Sequence, residues 1–320
     1  MTFDVMMLAG GLRPSPIQLA VGFPAPGLPI GTESTLLSTW LDRIAAAGGG
    51  SIAQSMVVCG SNSDFDWIAA EVRRCEREAG TAQIMLDPRA HRGTCGVVAD
   101  ALEGSGASSE WVLVVELTAL PPRSLDPALE LARNGADSVV GVSRDEQPSG
   151  VYLFRRESLK HCPRVGYFDL KEQFIDRLVA NGVRIDAVEL SSTVARLTDR
   201  RNYLRGIRIR QSEGAESSDS GVGRRGGNEV AGFSLVCHGA EVDPTAFVID
   251  SVVMPGAKIG RGVVIARSVI GPLMEVPEGS IVVESTLADP AWADRAAMAR
   301  TEGSRMSRCV QGEPTWSTAP

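Results

Sequence analysis

Near its C-terminal end the chain repeats itself. Asp250-Ser251-Val252-Val253 returns 17 residues later as Arg267-Ser268-Val269-Ile270, and after 17 more as Glu284-Ser285-Thr286-Leu287. Pro255 is matched by Pro272, and Gly262 by Gly279. Aliphatic residues step through Val242, Val248, Val253, Ile259, Ile265, Ile270, Val276 and Val282, at intervals of five or six. A stride of that length closing every 17 residues predicts a parallel β-helix with three short faces per turn, each strand turning one aliphatic inward. Two to three coils fit between 240 and 287. Each coil buries apolar surface only against its neighbours, so this few are expected to dock on the rest of the chain or on another subunit.

Residues 1–210 follow a different rule. Short apolar runs at Val5–Leu8, Ser55–Cys59, Ile84–Leu86, Trp111–Val115, Ser138–Val142 and Val151–Phe154 predict buried strands. Helical spacing of apolar residues marks Thr35–Ala47, Phe65–Ala79, Gly96–Leu102, Leu125–Asn134 and Leu170–Asn181. Turn glycines follow several of these helices, at Gly48, Gly80, Gly135 and Gly182. Strand–helix alternation implies an α/β fold with a mostly parallel, Rossmann-like sheet. Ligands of such a sheet sit at the carboxyl ends of its strands. Residues 211–230 turn to Ser, Gly and charge, which reads as a flexible linker, with a regulatory tail as the alternative. The β-helix is placed at 231–287. The tail, 288–320, is expected to hold a helix at Trp292–Arg300 and to be partly disordered.

The net charge of −7 over 320 residues argues against nucleic acid or an anionic membrane as main partner, since both reward a basic surface. No run approaches the ~18 apolar residues of a membrane span. The start lacks the basic residues and cleavage site of a signal peptide. Six scattered cysteines without a C-x-x-C pair fit reduced thiols, so the cytoplasm is the expected compartment. Three distant histidines make no zinc spacing.

Chemistry is expected first at Met7-Leu8-Ala9-Gly10-Gly11, a strand running into paired glycines. Backbone amides with no side chain above them can approach a phosphate or a base closely, although any tight turn also uses glycines. The order Leu8-Ala9-Gly10-Gly11, then Arg13, then Pro24-Ala25-Pro26-Gly27-Leu28-Pro29-Ile30, resembles the head of the sugar-1-phosphate nucleotidylyltransferases. Arg92-Gly93-Thr94-Cys95-Gly96 resembles that family's L-G-T-A-G element beside base and ribose. Ser149–Phe154 resembles its A-G-I-Y-V-F strand, and Tyr167–Leu170 with Phe174-Ile175 its late segment. Members that make nucleotide sugars such as GDP-mannose or ADP-glucose usually end in a left-handed β-helix.

The resemblance implies a reaction in which a sugar phosphate oxygen attacks the α-phosphorus of an NTP and pyrophosphate leaves. Charge crowds one phosphorus, so Mg²⁺ held by aspartates, an arginine and a lysine are needed. It places nucleotide contacts at Ala9, Gly10, Gly11, Gly93 and Thr94, and the phosphate cation at Arg13, which is equally readable as a solvated arginine. The glycine loop is short, and the family's lysine is Ala25 here. Its first metal aspartate becomes Glu116, which reads as a metal ligand or as a cap or ion-pair partner. Its second aligns on Arg196, with Asp199 read as a helix N-cap. The sugar-phosphate E-K-P element is missing between Gly141 and Pro148. The resulting expectation is a degenerate family member that binds a nucleotide or sugar phosphate without transfer, needing no metal. A divergent active enzyme using Mg²⁺ at Glu116 is the alternative. A homo-oligomer or a paralogous nucleotidyltransferase is the expected protein partner. A hexapeptide acyltransferase is the third reading; it would want more coils and a histidine at a subunit interface, and only His238 lies near.

Overall fold

The structure, a computed structural model, describes residues 1–10, 14–48, 51–60, 62–79, 82–87, 89, 91–215 and 229–289. Gly11, Arg13, Gly80 and the helix expected at Trp292–Arg300 lie outside these residues.

The first part of the chain builds one seven-stranded sheet. Its strands are β1 (Phe3–Leu8), β2 (Ile52–Cys59), β3 (Gln83–Leu86), β4 (Trp111–Glu116), β5 (Ser138–Ser143), β6 (Pro148–Arg155) and β7 (Ile185–Ser191). They are ordered β3-β2-β1-β4-β6-β5-β7, and only β6 runs against its neighbours. The helices are α1 (Pro16–Val21), α2 (Leu36–Gly48), α3 (Asn62–Ala79), α4 (Gly93–Gly104), α5 (Asp126–Arg133), α6 (Ile175–Ala180) and α7 (Arg200–Ala215). Successive residues of the central strands alternate between two cores. Val5, Met7, Val57, Leu113 and Val115 face α2, α3 and α5. Met6, Leu8, Met56, Val112 and Val114 face α4 and α6. Burial on both faces is why these strands read as unbroken apolar runs.

Three elements depart from the sequence expectation. β7 had no apolar run to announce it, because an edge strand buries one face and Asp186 and Glu189 interrupt the pattern. α1 spans only six residues and is fixed by Ser15, whose hydroxyl accepts from the Gln18 amide. The expected helix over Leu170–Asn181 opens with a π-helical turn, Leu170–Phe174, capped by Asp169.

The C-terminal part is a parallel coil of short strands: β8 (Glu229–Ala231), β9 (Leu235–Val236), β10 (Glu241–Val242), β11 (Phe247–Ile249), β12 (Val252–Val253), β13 (Lys258–Ile259), β14 (Val264–Ala266), β15 (Val269–Ile270), β16 (Glu275–Val276), β17 (Ile281–Val283) and β18 (Thr286–Leu287). They stack into three faces, β8-β11-β14-β17, β9-β12-β15-β18 and β10-β13-β16. Val252 pairs with Val269 and Val269 with Thr286, so the 17-residue period is the rise from coil to coil. Val248, Val253, Ile259, Ile265, Ile270, Val276 and Val282 fill the interior, as the stride requires. One more turn precedes the coils counted from residue 240 and starts two residues before the expected 231–287 span, because the strands from Glu229 onward already pair with the next coil. There the spacing slips to 18 residues, Glu229 against Phe247, which hides the repeat. Both ends of the 211–230 stretch therefore belong to regular elements, α7 running to Ala215 and β8 starting at Glu229.

At one corner of the coil Ser234, Ser251, Ser268 and Ser285 form a ladder. The Ser251 hydroxyl donates to the Ile249 carbonyl at 2.7 Å and accepts from the Ser268 amide at 3.0 Å. Ser268 does the same for Ala266 and Ser285, at 2.8 and 3.1 Å. Backbone groups that the turn would leave unpaired are thereby satisfied. The face carrying β9, β12 and β15 docks on the first domain: Leu235, Cys237, Val252, Met254 and Val269 share a core with Trp40 and Tyr203. The His238 amide donates to Thr32 O at 2.8 Å and the Gln211 side chain to Ser234 O at 2.9 Å. Of the two supports expected for so short a coil, the structure shows the chain's own first domain.

Candidate functional site

At the carboxyl ends of β1 and β2 the chain leaves a cavity of about 270 Å³, closed on its far side by the start of α4. Leu8, Val58 and Val97 give it an apolar wall, and Gly10, Gly93 and Thr94 stand on its rim. Gly10, Gly93 and Thr94 are thus brought together at one cavity. Ala9 is buried beside them, its amide donating to Val58 O at 3.0 Å. Gly11 and Arg13, the other residues singled out there, lie outside the described residues.

Gly93 cannot be replaced without strain. Its φ is +72°, and a Cβ there would sit 2.6 Å from the Phe168 carbonyl oxygen. That closeness exists because segment 163–170 is tied to the start of α4. Buried Arg92 grips Asp100 at 3.0 Å and donates to Gly166 O and Pro163 O, both at 2.8 Å. The Cys95 amide donates to Phe168 O at 3.1 Å. The Thr94 hydroxyl donates to Asp169 at 2.9 Å and accepts from the Leu170 amide at 2.8 Å. Its oxygen is spent on structure, so Thr94 offers a ligand contact surface more than a free hydroxyl. The lashing carries Tyr167 to the mouth of the cavity, opposite Asp87 and His91. Burial raises the Asp87 carboxyl above the usual range, against the pull of the Arg89 amide it accepts from. Sequence reasoning missed Asp87 and His91, and quoted Tyr167 only within a longer segment. No periodicity marks a loop residue whose neighbours come from elsewhere in the chain.

A second group of residues lies beyond β1, at the end of β4. Glu116 pairs with Arg196, Nη1 donating to Oε2 at 2.5 Å, and Tyr152 donates its hydroxyl to Oε1 at 3.2 Å. Burial, and next the Glu116 charge, raise the Tyr152 phenol, which keeps it a donor. The local fold explains why Arg196 arrives there. After β4 the chain is held by Leu117 N to Leu8 O, and the Trp40 indole donates to Ala119 O at 2.8 Å. Residues 195–197 then run antiparallel to 118–120, through Leu120 N to Ala195 O and Leu197 N to Thr118 O. Asp199, as expected, caps α7 by accepting from the Asn202 amide at 2.8 Å.

This arrangement does not suit Mg²⁺, which wants near-octahedral oxygen ligands. The carboxylate that would serve it is engaged by a guanidinium, whose charge repels a second cation. Among the described residues no three His, Cys, Asp or Glu side chains converge as a metal cluster would. Ala25 sits in the apolar core, in a single 3₁₀ turn, and its methyl group offers neither a charge nor a donor. β5 passes into β6 through residues 144–147 alone, which leaves no room for the missing sugar-phosphate element. Between this hairpin and α7 a second cavity of about 270 Å³ opens, lined by Gln147, Pro148, Lys171, Val194, Arg196 and Asn202. His238 lies elsewhere, exposed on the first coil and 3.6 Å from Glu33.

Comparison with known proteins bears on the C-terminal coils and on the fold. Residues 215–301 match the family described as GlmU-like, C-terminal hexapeptide. Glucose-1-phosphate adenylyltransferases of Bacillus thuringiensis (strain Al Hakam), Bacillus mycoides (strain KBAB4) and Bacillus anthracis are each 49% identical to this chain over 49 residues. That stretch is 15% of this chain and 13% of each relative. The findings support a nucleotidyltransferase relationship. The crystal structure of HddC from Yersinia pseudotuberculosis superposes with a TM-score of 0.51 at 13% identity, over 66% of this chain and 100% of that one. At that identity the likeness speaks for the fold alone. No described helix is long and apolar enough to cross a membrane.

Proposed function

We propose that the chain is a sugar nucleotidyltransferase relative that binds a nucleotide or sugar phosphate in its cleft and has lost most or all of its transfer activity. The observation that carries this reading is the Glu116–Arg196 ion pair. In-line attack at an α-phosphorus piles negative charge on one centre, which a bound divalent cation must offset. Here the strand-end carboxylate is neutralised by a guanidinium, and the lysine of the resemblance is a core alanine. Removing one such electrostatic contact costs on the order of 10²–10³ in rate, and several are absent together.

Binding is supported by the other cavity. Leu8, Val58 and Val97 form a wall of the kind a base needs, and Asp87 can accept from an exocyclic amine or a ribose hydroxyl. The 49-residue likeness to glucose-1-phosphate adenylyltransferases favours a sugar-linked ligand. The decisive experiment measures pyrophosphate release across NTPs and sugar 1-phosphates with Mg²⁺ or Mn²⁺, alongside calorimetric binding of the same compounds. Binding without turnover is expected. Robust turnover that is abolished by Glu116→Ala would overturn the reading in favour of a divergent active enzyme.

A further inference from the structure

The second cavity differs in chemistry from the first. Lys171 stands at its edge, exposed, and its ammonium makes no hydrogen bond or ion pair among the described residues. Arg196 lines the same cavity. Its guanidinium gives one N–H to Glu116 and another to Pro148 O at 3.3 Å, which leaves further donors unspent of the five it carries. Glu116 cancels the Arg196 charge but also fixes the plane of the guanidinium. The Asn202 side-chain amide donates to Asp199 at 2.6 Å, which turns that neighbouring carboxylate's oxygen to the start of α7 and leaves its charge in place. Lys171 therefore gives the cavity an ammonium with no ion-pair partner, beside a preoriented fork of donors. The Gln147 amide completes the rim, donating only weakly to Asp145 O at 3.5 Å.

From this juxtaposition we infer that the Lys171–Arg196 cavity is a phosphate site that works without a divalent metal ion. A planar fork suits the oxygens of a phosphate, and an unpaired ammonium supplies the compensating charge. The natural occupant is the phosphate of a small phosphorylated molecule, since about 270 Å³ holds a phosphate with part of a sugar ring but no macromolecule. The inference deepens the reading above. It depends on that reading for the rest of the ligand, and not for the anion itself.

The test is calorimetry on the full chain in EDTA, at constant ionic strength, with inorganic phosphate, glucose 1-phosphate and glucose as probes. Both phosphate-bearing probes are expected to bind and glucose is not. Lys171→Ala should weaken them about tenfold or more, and Lys171→Glu should abolish binding. Lys171 makes no side-chain contact that folding needs, and thermal unfolding of both variants verifies this. Nucleosides lacking phosphate, titrated in parallel, address the apolar cavity and should bind both variants as they bind the wild type. No binding in EDTA, a requirement for Mg²⁺, equal affinity for glucose, or Lys171 variants that bind like wild type would each overturn the inference. Nucleosides that fail to bind while phosphate still does would sink the nucleotide reading and leave this one standing.

Discussion

Arg196 occupies the place where a metal-binding carboxylate is expected, and its charge decides what the cleft can hold. Replacing it with alanine leaves the Glu116 carboxylate half-buried with one neutral donor, Tyr152. Arg196→Ala should therefore lower unfolding free energy by about 1–3 kcal/mol, read from urea midpoints. Arg196→Asp reverses the logic by bringing a second carboxylate to Glu116. A rise in melting temperature with millimolar Mn²⁺ is expected for that variant and not for the wild type. An unshifted variant would mean that the site cannot be restored by charge alone. Gly93 is a second sensitive residue, since a side chain at φ +72° collides with the Phe168 backbone. Gly93→Ala should cost about 2 kcal/mol or more and pull Tyr167 out of place. Thiols offer a pH-dependent readout. Burial pushes Cys59 and Cys237 up to about 12, so the thiolate is scarce in the native state at neutral pH. Alkylation of either should stay slow at pH 8, rise only as pH approaches that value, and become fast in denaturant. Rapid labelling of native protein at pH 8 would contradict the burial.

Among the elements, the C-terminal coil shows how a repeat satisfies its corners. Ser251 and Ser268 are fully buried, yet each hydroxyl both donates to its own coil and accepts from the next. Ser268→Ala removes the acceptor for the Ser285 amide and the donor to Ala266 O. A loss of about 1–3 kcal/mol is expected, measured by denaturant unfolding. Ser285→Ala, at the last and more exposed rung, should cost clearly less; equal losses would argue against the ladder. The same corner places Asp250, Arg267 and Glu284 at φ near +47° or +48°, a conformation that non-glycine residues seldom adopt. Arg267 and Glu284 bridge adjacent coils there at 2.9 Å.

For the whole molecule, coil and sheet domain share one core. Within β12, Val252 points to the first domain and Val253 to the coil interior, as alternation along a strand requires. Tyr203 is buried in this joint and donates to Pro29 O at 2.6 Å. A single cooperative unfolding transition is therefore expected by calorimetry. Val252→Asp should split or greatly lower it, whereas Val264→Asp, on the half-exposed outer face, should have little effect. Two transitions in the wild type would mean that the joint carries less than its burial suggests.

Periodicity made much of this fold readable. Two-sided burial left the central strands as apolar runs, and the 17-residue stride gave the coil, its interior residues and the turn glycines. These are local regularities, imposed by strand and helix geometry on neighbouring residues. Asp199 as a cap was readable for the same reason, since it and the helix start it caps lie within one short segment. The irregular first coil, the edge strand β7 and the short α1 escaped because each breaks its pattern or is too brief to show one. What the sequence could not contain was proximity between distant residues. Glu116 and Arg196 are 80 positions apart and meet only because residues 117–120 and 195–197 pair antiparallel. Tyr167 reaches the cavity only through the Arg92 clamp, and Lys171 shares a cavity with Arg196 only once β7 and α7 are in place. An ion pair or a cavity is a relation in space, and only tertiary packing decides whether two charges neutralise each other or share a ligand.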